Sequence, residues 1–130
     1  MFKLIKITNS VANVPELETL PKSASLKIRP GEAVVMSNGK LGRCGMYDIP
    51  QFLALSDGTG GETKVTVCRI TPDMVFEADY VGEIDLEYGL RLTIAADENG
   101  SSSVLSNPDN DAGVATVVGF NEGKPIVIFN

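Results

Sequence analysis

The stretch from residue 31 to residue 77 limits the possible folds most strongly, because it consists of short extended segments separated by turn residues. Asn38 and Gly39 lie between two of these segments. Both central positions of a type I′ turn require a positive φ, which Asn and Gly tolerate. Residues 64–70 and 74–78 are rich in the β-branched and aromatic residues that strands favour. We therefore predict a β-hairpin at Asn38-Gly39, followed later in the chain by two strands.

The remaining sequence continues this alternation of extended runs and turns, and no stretch shows the sustained 3.6-residue apolar repeat of a helix. Further extended runs cover residues 2–7, 26–29, 32–37, 40–44, 51–55, 90–96, 113–120 and 125–129, the last two joined as a hairpin across residues 121–123. We expect about eight or nine short strands with at most short helical turns. The predicted fold is all-β, a small antiparallel β-barrel or sandwich.

The first 25 residues are expected to differ from the rest of the chain. Residues 2–7 are apolar, but two lysines interrupt them, which favours a strand over a signal peptide. Residues 8–25 contain two prolines and no sustained period, as is typical of a connector. We therefore divide the chain into an amino-terminal strand and connector arm, residues 1–25, and a β-barrel domain, residues 26–130. The alternative is that residues 2–7 form the first strand of the barrel.

Several predicted strands are apolar on both faces. Neighbouring side chains of a strand point to opposite sides of the sheet. The adjacent apolar pairs are Leu4 with Ile5, Val117 with Val118, and Val127 with Ile128. A small barrel has one interior, so we expect the surplus side chains to be covered by loops, by the amino-terminal arm or by another protein chain.

The composition excludes several classes of function. The chain has no histidine, which rules out Ser-His-Asp and Cys-His catalysis and the zinc sites that use histidine. Its net charge of −6 and its dispersed lysines and arginines disfavour direct binding of nucleic acid. No apolar run approaches the ~18 residues that span a bilayer, so no membrane partner is expected. Cys44 and Cys68 lie in apolar segments and are predicted to be buried free thiols, with a disulfide as the alternative.

Three features match small-ligand sites only in part. The glycine-rich stretch 57–61 lacks the Lys-Ser/Thr pair and the helix of a phosphate-binding loop, so we interpret it as a hairpin loop. The acidic residues at 97–98 and 109–111 lack the spacing of an EF-hand, so residues 97–111 are interpreted as a solvated loop. The remaining carboxylate pairs are two residues apart, which places both groups on one strand face in water. We predict no catalytic residue, no metal ligand and no cofactor.

Five segments carry a resemblance to a known family. Residues 31–40 (GEAVVMSNGK) and 65–77 (VTVCRITPDMVFE) contain a glycine before a strand, an Asn-Gly turn and a proline between strands. The strand that begins at Leu90 and residues 112–120 (AGVATVVGF) and 126–129 (IVIF) continue the pattern. In these segments the chain resembles the small head decoration (cement) proteins of tailed bacteriophages. Residues 97–111 depart from the most compact members of that family.

The resemblance implies a non-enzymatic β-barrel that binds the outer surface of an assembled capsid. Such a protein bridges subunits of the major capsid protein and stabilises the head, often as a homotrimer. It is made in the host cytoplasm and is located on the outer capsid surface of the virion. The candidate partner-contact residues lie in two predicted strands and are Phe2, Leu4, Ile5, Ile7, Met74, Val75 and Phe76. The first of these strands is a candidate for pairing with the exposed sheet edge of another protein.

Two other functions remain open from the sequence. Another structural barrel of the virion, such as a tail or baseplate component, shares the same fold signals and differs in its partner. A trimeric barrel hydrolase would use carboxylates and Mg²⁺ at subunit junctions, and it would need an Asp-bearing strand beside an Arg-Ser-rich motif. The sequence contains no such motif.

Overall fold

A computed structural model describes residues 1–8, 15–108 and 113–130. In this part of the chain there are twelve β-strands and no helix. The strands are β1 (Lys3–Ile7), β2 (Leu17–Pro21), β3 (Ala33–Ser37), β4 (Lys40–Arg43), β5 (Phe52–Ala54), β6 (Lys64–Arg69), β7 (Met74–Glu77), β8 (Asp79–Tyr80), β9 (Arg91–Ala96), β10 (Ser102–Ser106), β11 (Ala115–Asn121) and β12 (Lys124–Phe129). The predicted all-β class is confirmed, with more strands than the eight or nine expected.

The strands form two sheets. The seven-stranded sheet has the order β1-β7-β12-β11-β9-β10-β8, and β10 with β8 is its parallel pair. The five-stranded sheet has the order β2-β6-β5-β3-β4 and is antiparallel throughout. A bridge between Lys22 and Leu41 joins the chain after β2 to β4. Because this bridge brings the two edges of the five-stranded sheet together, the sheet is strongly curled.

Both predicted hairpins are confirmed. Asn38 and Gly39 have φ values of 53° and 79° and connect β3 to β4, with Ser37 opposite Lys40. Glu122 and Gly123 have φ values of 51° and 80° and connect β11 to β12 in the same way. Two consecutive positive φ angles are the mark of a type I′ turn, whose twist matches that of the strands it joins. Local turn chemistry therefore fixes the register of both hairpins.

Two hydrophobic clusters stabilise the fold. The larger lies between the sheets and combines Phe76 and Val127 of the seven-stranded sheet with Leu53 and Cys68 of the five-stranded sheet. The smaller lies on the opposite face of the five-stranded sheet, and its members are Ile28, Val34, Leu41, Phe52, Ala54, Val65 and Val67. Residues before β3, together with the curl of the sheet, cover this second face. The chain itself therefore buries both faces of the five-stranded sheet.

A buried carboxylate links the two sheets. Glu32, immediately before β3, is fully buried and accepts hydrogen bonds from the Arg29 amide (3.0 Å), the Arg43 Nε (3.0 Å) and the Ser102 amide (3.1 Å). Ser102 belongs to β10 of the seven-stranded sheet, so one side chain holds both sheets. Burying a charge is tolerated when it is paired and hydrogen-bonded in this way.

The structure differs from the sequence prediction at the two-residue strand β8, which was not expected, and in three longer segments. Residues 8–25 are predicted to be a connector but contain β2, an edge strand that has no buried residue and lacks a clear apolar pattern. The solvated loop predicted at 97–111 is wrong for β10, where the buried Ser102 and Ser103 donate their hydroxyls to the Cys44 carbonyl and to Asp97. Residues 26–29 form no strand, and Ile28 makes a single bridge with Gly58.

The first 25 residues contribute a strand to each sheet. β1 pairs with β7 at one edge of the seven-stranded sheet, and β2 pairs with β6 at one edge of the five-stranded sheet. Phe2, just before β1, is buried and packs edge-to-face against Phe129, with ring centroids 5.3 Å apart. Residues 2–7 thus lie in the position that the first-strand alternative expects.

The two cysteines are buried and free, as predicted. Burial, together with the neighbouring charge of Asp48, raises the pKa of the Cys44 thiol to about 12. Burial also raises the pKa of Cys68. Because the thiolate is the reactive form, both thiols remain protonated and inert at neutral pH.

Candidate functional site

The outer face of the seven-stranded sheet, which points away from the five-stranded sheet, is apolar where β1, β7, β12 and β11 lie side by side. In β11, Val117 is 1% exposed and faces the core, whereas its neighbour Val118 is 40% exposed. In β12, Val127 is buried in the core and Ile128 is half-buried on the outer side. In β1, Leu4 packs against the core and Ile5 is 42% exposed. All three two-faced pairs predicted from the sequence therefore leave one member on the outer face.

These outward side chains meet in a single groove. The groove has a volume of about 490 Å³ and is lined by Ile5, Lys6, Thr8, Val75, Val118, Gly119, Ile126 and Ile128. We call it the outer groove. Its lining comes from four neighbouring strands and the residue that follows β1, so the strand order of the sheet brings together positions that are distant in sequence.

Two β-bulges shape the outer groove. The register between β1 and β7 shifts between Leu4 and Lys6, and the register between β11 and β12 shifts between Val117 and Gly119. The extra residues at these shifts are Ile5 and Val118, and both line the groove. A bulge inserts one residue and re-aims a side chain. Here each bulge adds an aliphatic side chain to the outer face without moving the inward residues out of the core.

The charge around the outer groove differs from that of the whole chain. Among the described residues that line the groove, Lys6 is the charged one and none is a carboxylate. Within the described ranges no carboxylate forms an ion pair with Lys6. The whole chain, in contrast, carries a net charge of −6. The groove is therefore an apolar, weakly basic patch on an acidic protein.

The end of this sheet near the amino terminus carries an ion-pair network. Asp79 accepts from the Lys124 ammonium (3.0 Å) and from the amino terminus (3.3 Å). The hydrogen bond from Lys124, followed by that from the amino terminus, lowers the pKa of Asp79. The Asp79 side chain is about half exposed, so this network contributes modestly to stability.

The seven predicted partner-contact residues do not lie together. Ile5 and Val75 line the outer groove. Leu4 and Ile7 are partly buried and pack against the core from the inner face. The other three are core residues, each at most 3% exposed, and are Phe2, Met74 and Phe76. In the folded monomer those three side chains are occupied by intramolecular packing.

Sequence reasoning did not assign the other half of the groove to partner contact. Val118 and Ile128 were recognised as surplus members of two-faced pairs, but their convergence with Ile5 depends on β12 lying between β7 and β11. Ile126 and Gly119 lie in segments that carry the family resemblance, but no local pattern singled out either residue. The adjacent apolar pairs were therefore the useful signal, and strand order was the missing information.

The other candidate sites have structural explanations. Asp97 accepts hydrogen bonds from the Asn99 and Ser101 amides and from the Ser103 hydroxyl, which organises the turn before β10. In the described part of the chain no three His, Cys, Asp or Glu residues are grouped to hold a metal ion. Residues 109–111, the other half of the predicted acidic cluster, lie outside the described residues. Asp57 accepts from the Thr59 amide and hydroxyl within the glycine-rich loop.

Comparisons with known proteins found no match to this chain among protein-family models, curated protein sequences or solved structures. The residues that the structure describes also contain no helix that is long and apolar enough to cross a membrane.

Proposed function

We propose that this chain is a non-enzymatic structural protein that binds the outer surface of an assembled capsid and bridges major capsid protein subunits. Head decoration proteins of tailed bacteriophages, which the sequence resembles, act in this way. On this proposal the chain is located on the virion surface, and copies associate as a homotrimer over three-fold positions of the shell. The outer groove is the surface that contacts the capsid.

One observation carries the proposal. The described residues cover both faces of the five-stranded sheet but leave the outer groove open, with Ile5 and Val118 each about 40% exposed. A contiguous apolar surface on a folded protein is typical of a site that binds another protein. Burial of apolar area contributes ~25 cal/mol per Å². Repeated over many copies on one shell, a modest contact of this kind adds substantial stability.

The contact surface is tested best by a point substitution. Deleting residues 1–7 would remove β1 and the buried Phe2, so a loss of binding would not distinguish contact from unfolding. Val118→Asp places a charge in the outer groove without touching the core. Leu17→Asp is the matched control, because Leu17 is also an exposed aliphatic strand residue but lies on the five-stranded sheet.

The experiment is electron microscopy of empty capsids, from the phage that encodes the chain, mixed with the wild type and both variants. We expect ordered protrusions at local three-fold positions with the wild type and with Leu17→Asp, and bare shells with Val118→Asp. Far-ultraviolet circular dichroism of each variant checks that it is folded. Bare shells with the wild type, or binding to tails instead of heads, would overturn the capsid function. Full decoration by folded Val118→Asp would overturn the assignment of the groove.

A further inference from the structure

Glycine positions provide independent information about the outer groove. The chain has 13 glycines, and seven of them have positive φ angles that favour glycine. At four others, Gly45, Gly58, Gly60 and Gly113, an added Cβ would lie within 3.0 Å of another atom. The two that remain are Gly42 in β4 and Gly119 in β11. Neither backbone conformation nor crowding within the described chain requires glycine at these two positions.

Gly119 lies in the outer groove. A Cβ built at Gly119 would be 3.7 Å from the Ile126 side chain, which is ordinary van der Waals contact. Glycine inside a strand weakens the strand, and it often marks a place where another molecule approaches closely. Among the described residues only the Ile126 side chain comes near that position, and it leaves room for a Cβ, so the space above Gly119 is open to another molecule.

Lys6 indicates the charge of a partner segment that would fill the outer groove. It lies on β1, across the groove from β11, and lines the same groove without a carboxylate partner in the described part of the chain. An apolar groove with one lysine is complementary to a segment that carries an apolar side chain beside a carboxylate. Its volume of about 490 Å³ is large enough for a side chain and its flanking backbone.

We infer that a segment of the shell protein inserts an aliphatic or aromatic side chain over Gly119 and places an Asp or Glu carboxylate against Lys6. This inference rests on the proposed function, and it specifies the chemistry of the partner at the same site. Gly119 acts by leaving space for the inserted side chain. Lys6 acts by orienting the segment along β1.

Gly119→Val tests the insertion. Valine fits the strand conformation and fills the space above the sheet, so we expect the variant to be folded and at least as resistant to urea as the wild type. Its affinity for empty capsids should fall about tenfold or more, because the inserted side chain loses its pocket. Gly42→Val is the matched control, because Gly42 is also a strand glycine that neither backbone conformation nor crowding requires. A Cβ added at Gly42 would be 3.9 Å from the Val35 carbonyl oxygen, and Gly42 lies outside the outer groove. It should bind like the wild type.

Lys6→Glu tests the carboxylate, with Lys40→Glu as its control on the exposed end of β4. We expect Lys6→Glu to lower capsid affinity about tenfold and to weaken the salt dependence of binding, and Lys40→Glu to change neither. Gly119→Ala provides a smaller obstruction should the valine variant unfold. Its affinity for capsids should lie between that of the wild type and that of a variant that cannot accept the inserted side chain.

The outcomes separate this inference from the proposed function. If Val118→Asp abolishes binding but folded Gly119→Val or Gly119→Ala binds like the wild type, the insertion is wrong while the capsid contact stands. If Lys6→Glu and Lys40→Glu behave alike, the carboxylate partner is wrong. If the wild type itself leaves capsids bare, both proposals fall.

Discussion

The two sheets of this protein are both built from strands that are apolar on two sides, yet they differ in how those sides are covered. In β5 of the five-stranded sheet, Phe52 and Leu53 point to opposite faces and both are buried. In β11 of the seven-stranded sheet, Val117 is buried and Val118 is exposed. An adjacent apolar pair therefore indicates an uncovered face only when the chain has no further layer to place over it.

The physical reason is the number of layers. Two packed sheets have one shared inner space and two outer faces. Residues 20–28 and the curl of the sheet close the outer face of the five-stranded sheet. The described chain supplies no equivalent cover for β1, β7, β12 and β11, so the outer groove stays open.

The strongest test of this comparison uses the two faces of β5. Phe52→Ala and Leu53→Ala each leave a cavity, one in the smaller cluster and one between the sheets. We expect the free energy of unfolding to fall by about 3–5 kcal/mol for Phe52→Ala and about 2–5 kcal/mol for Leu53→Ala. Urea denaturation measures both. If either substitution costs less than about 1 kcal/mol, that face is not closed and the contrast between the sheets disappears.

A sharper test of intermediate size uses neighbouring valines in β11. Val117→Ala removes fully buried methyl groups and should lower the free energy of unfolding by about 2 kcal/mol. Val118→Ala should change it by no more than about 0.5 kcal/mol, because Val118 is exposed in the monomer. The same urea titrations provide both values. Equal losses for the two valines would mean that the outer face is covered in solution, for instance by a second copy of the chain.

The smallest expected effect concerns the ion pairs of Asp79 on the seven-stranded sheet. The pKa of Asp79 in the folded protein is lowered below the ordinary value of 3.8, so ionisation of Asp79 stabilises the folded state. This contribution is present above pH 3.8 and is lost as the pH falls through the lower folded value. We expect Asp79→Asn to cost at most about 1 kcal/mol at pH 7, since the side chain is half exposed.

The pH dependence gives this prediction its control. Urea titrations of the wild type and Asp79→Asn at neutral pH and at about pH 3 should show the difference between them shrinking in acid. A difference that grows in acid would contradict the assigned direction of the pKa shift.

Much of the local structure was predictable from the sequence. The turn at Asn38 and Gly39 was predicted because the φ angles it requires depend on two residues alone. β2 and β10 were missed for opposite reasons. β2 is an edge strand with little burial, and β10 begins with buried serines whose hydroxyls are hydrogen-bonded, so neither shows the apolar alternation expected of a strand.

The candidate site was predictable only in part. The adjacent pairs Leu4 with Ile5 and Val117 with Val118 indicated surplus apolar side chains. Phe2 and Phe76, which were predicted to contact a partner, are buried in the core of the folded chain. In the pairs Leu4 with Ile5 and Val117 with Val118, the member that remains exposed is the outward one, Ile5 or Val118.

By itself the sequence determined the strand class, the type I′ turn at Asn38-Gly39, the hairpin at 121–123 and the existence of strands that are apolar on both sides, because each depends on residues next to one another in the chain. The tertiary structure alone decided which of those strands would be covered. That outcome depends on the order of strands in each sheet and on which segments lie over each face, and these are set by contacts between residues far apart in sequence. The outer groove exists because β12 lies between β7 and β11 and nothing in the described chain packs over them.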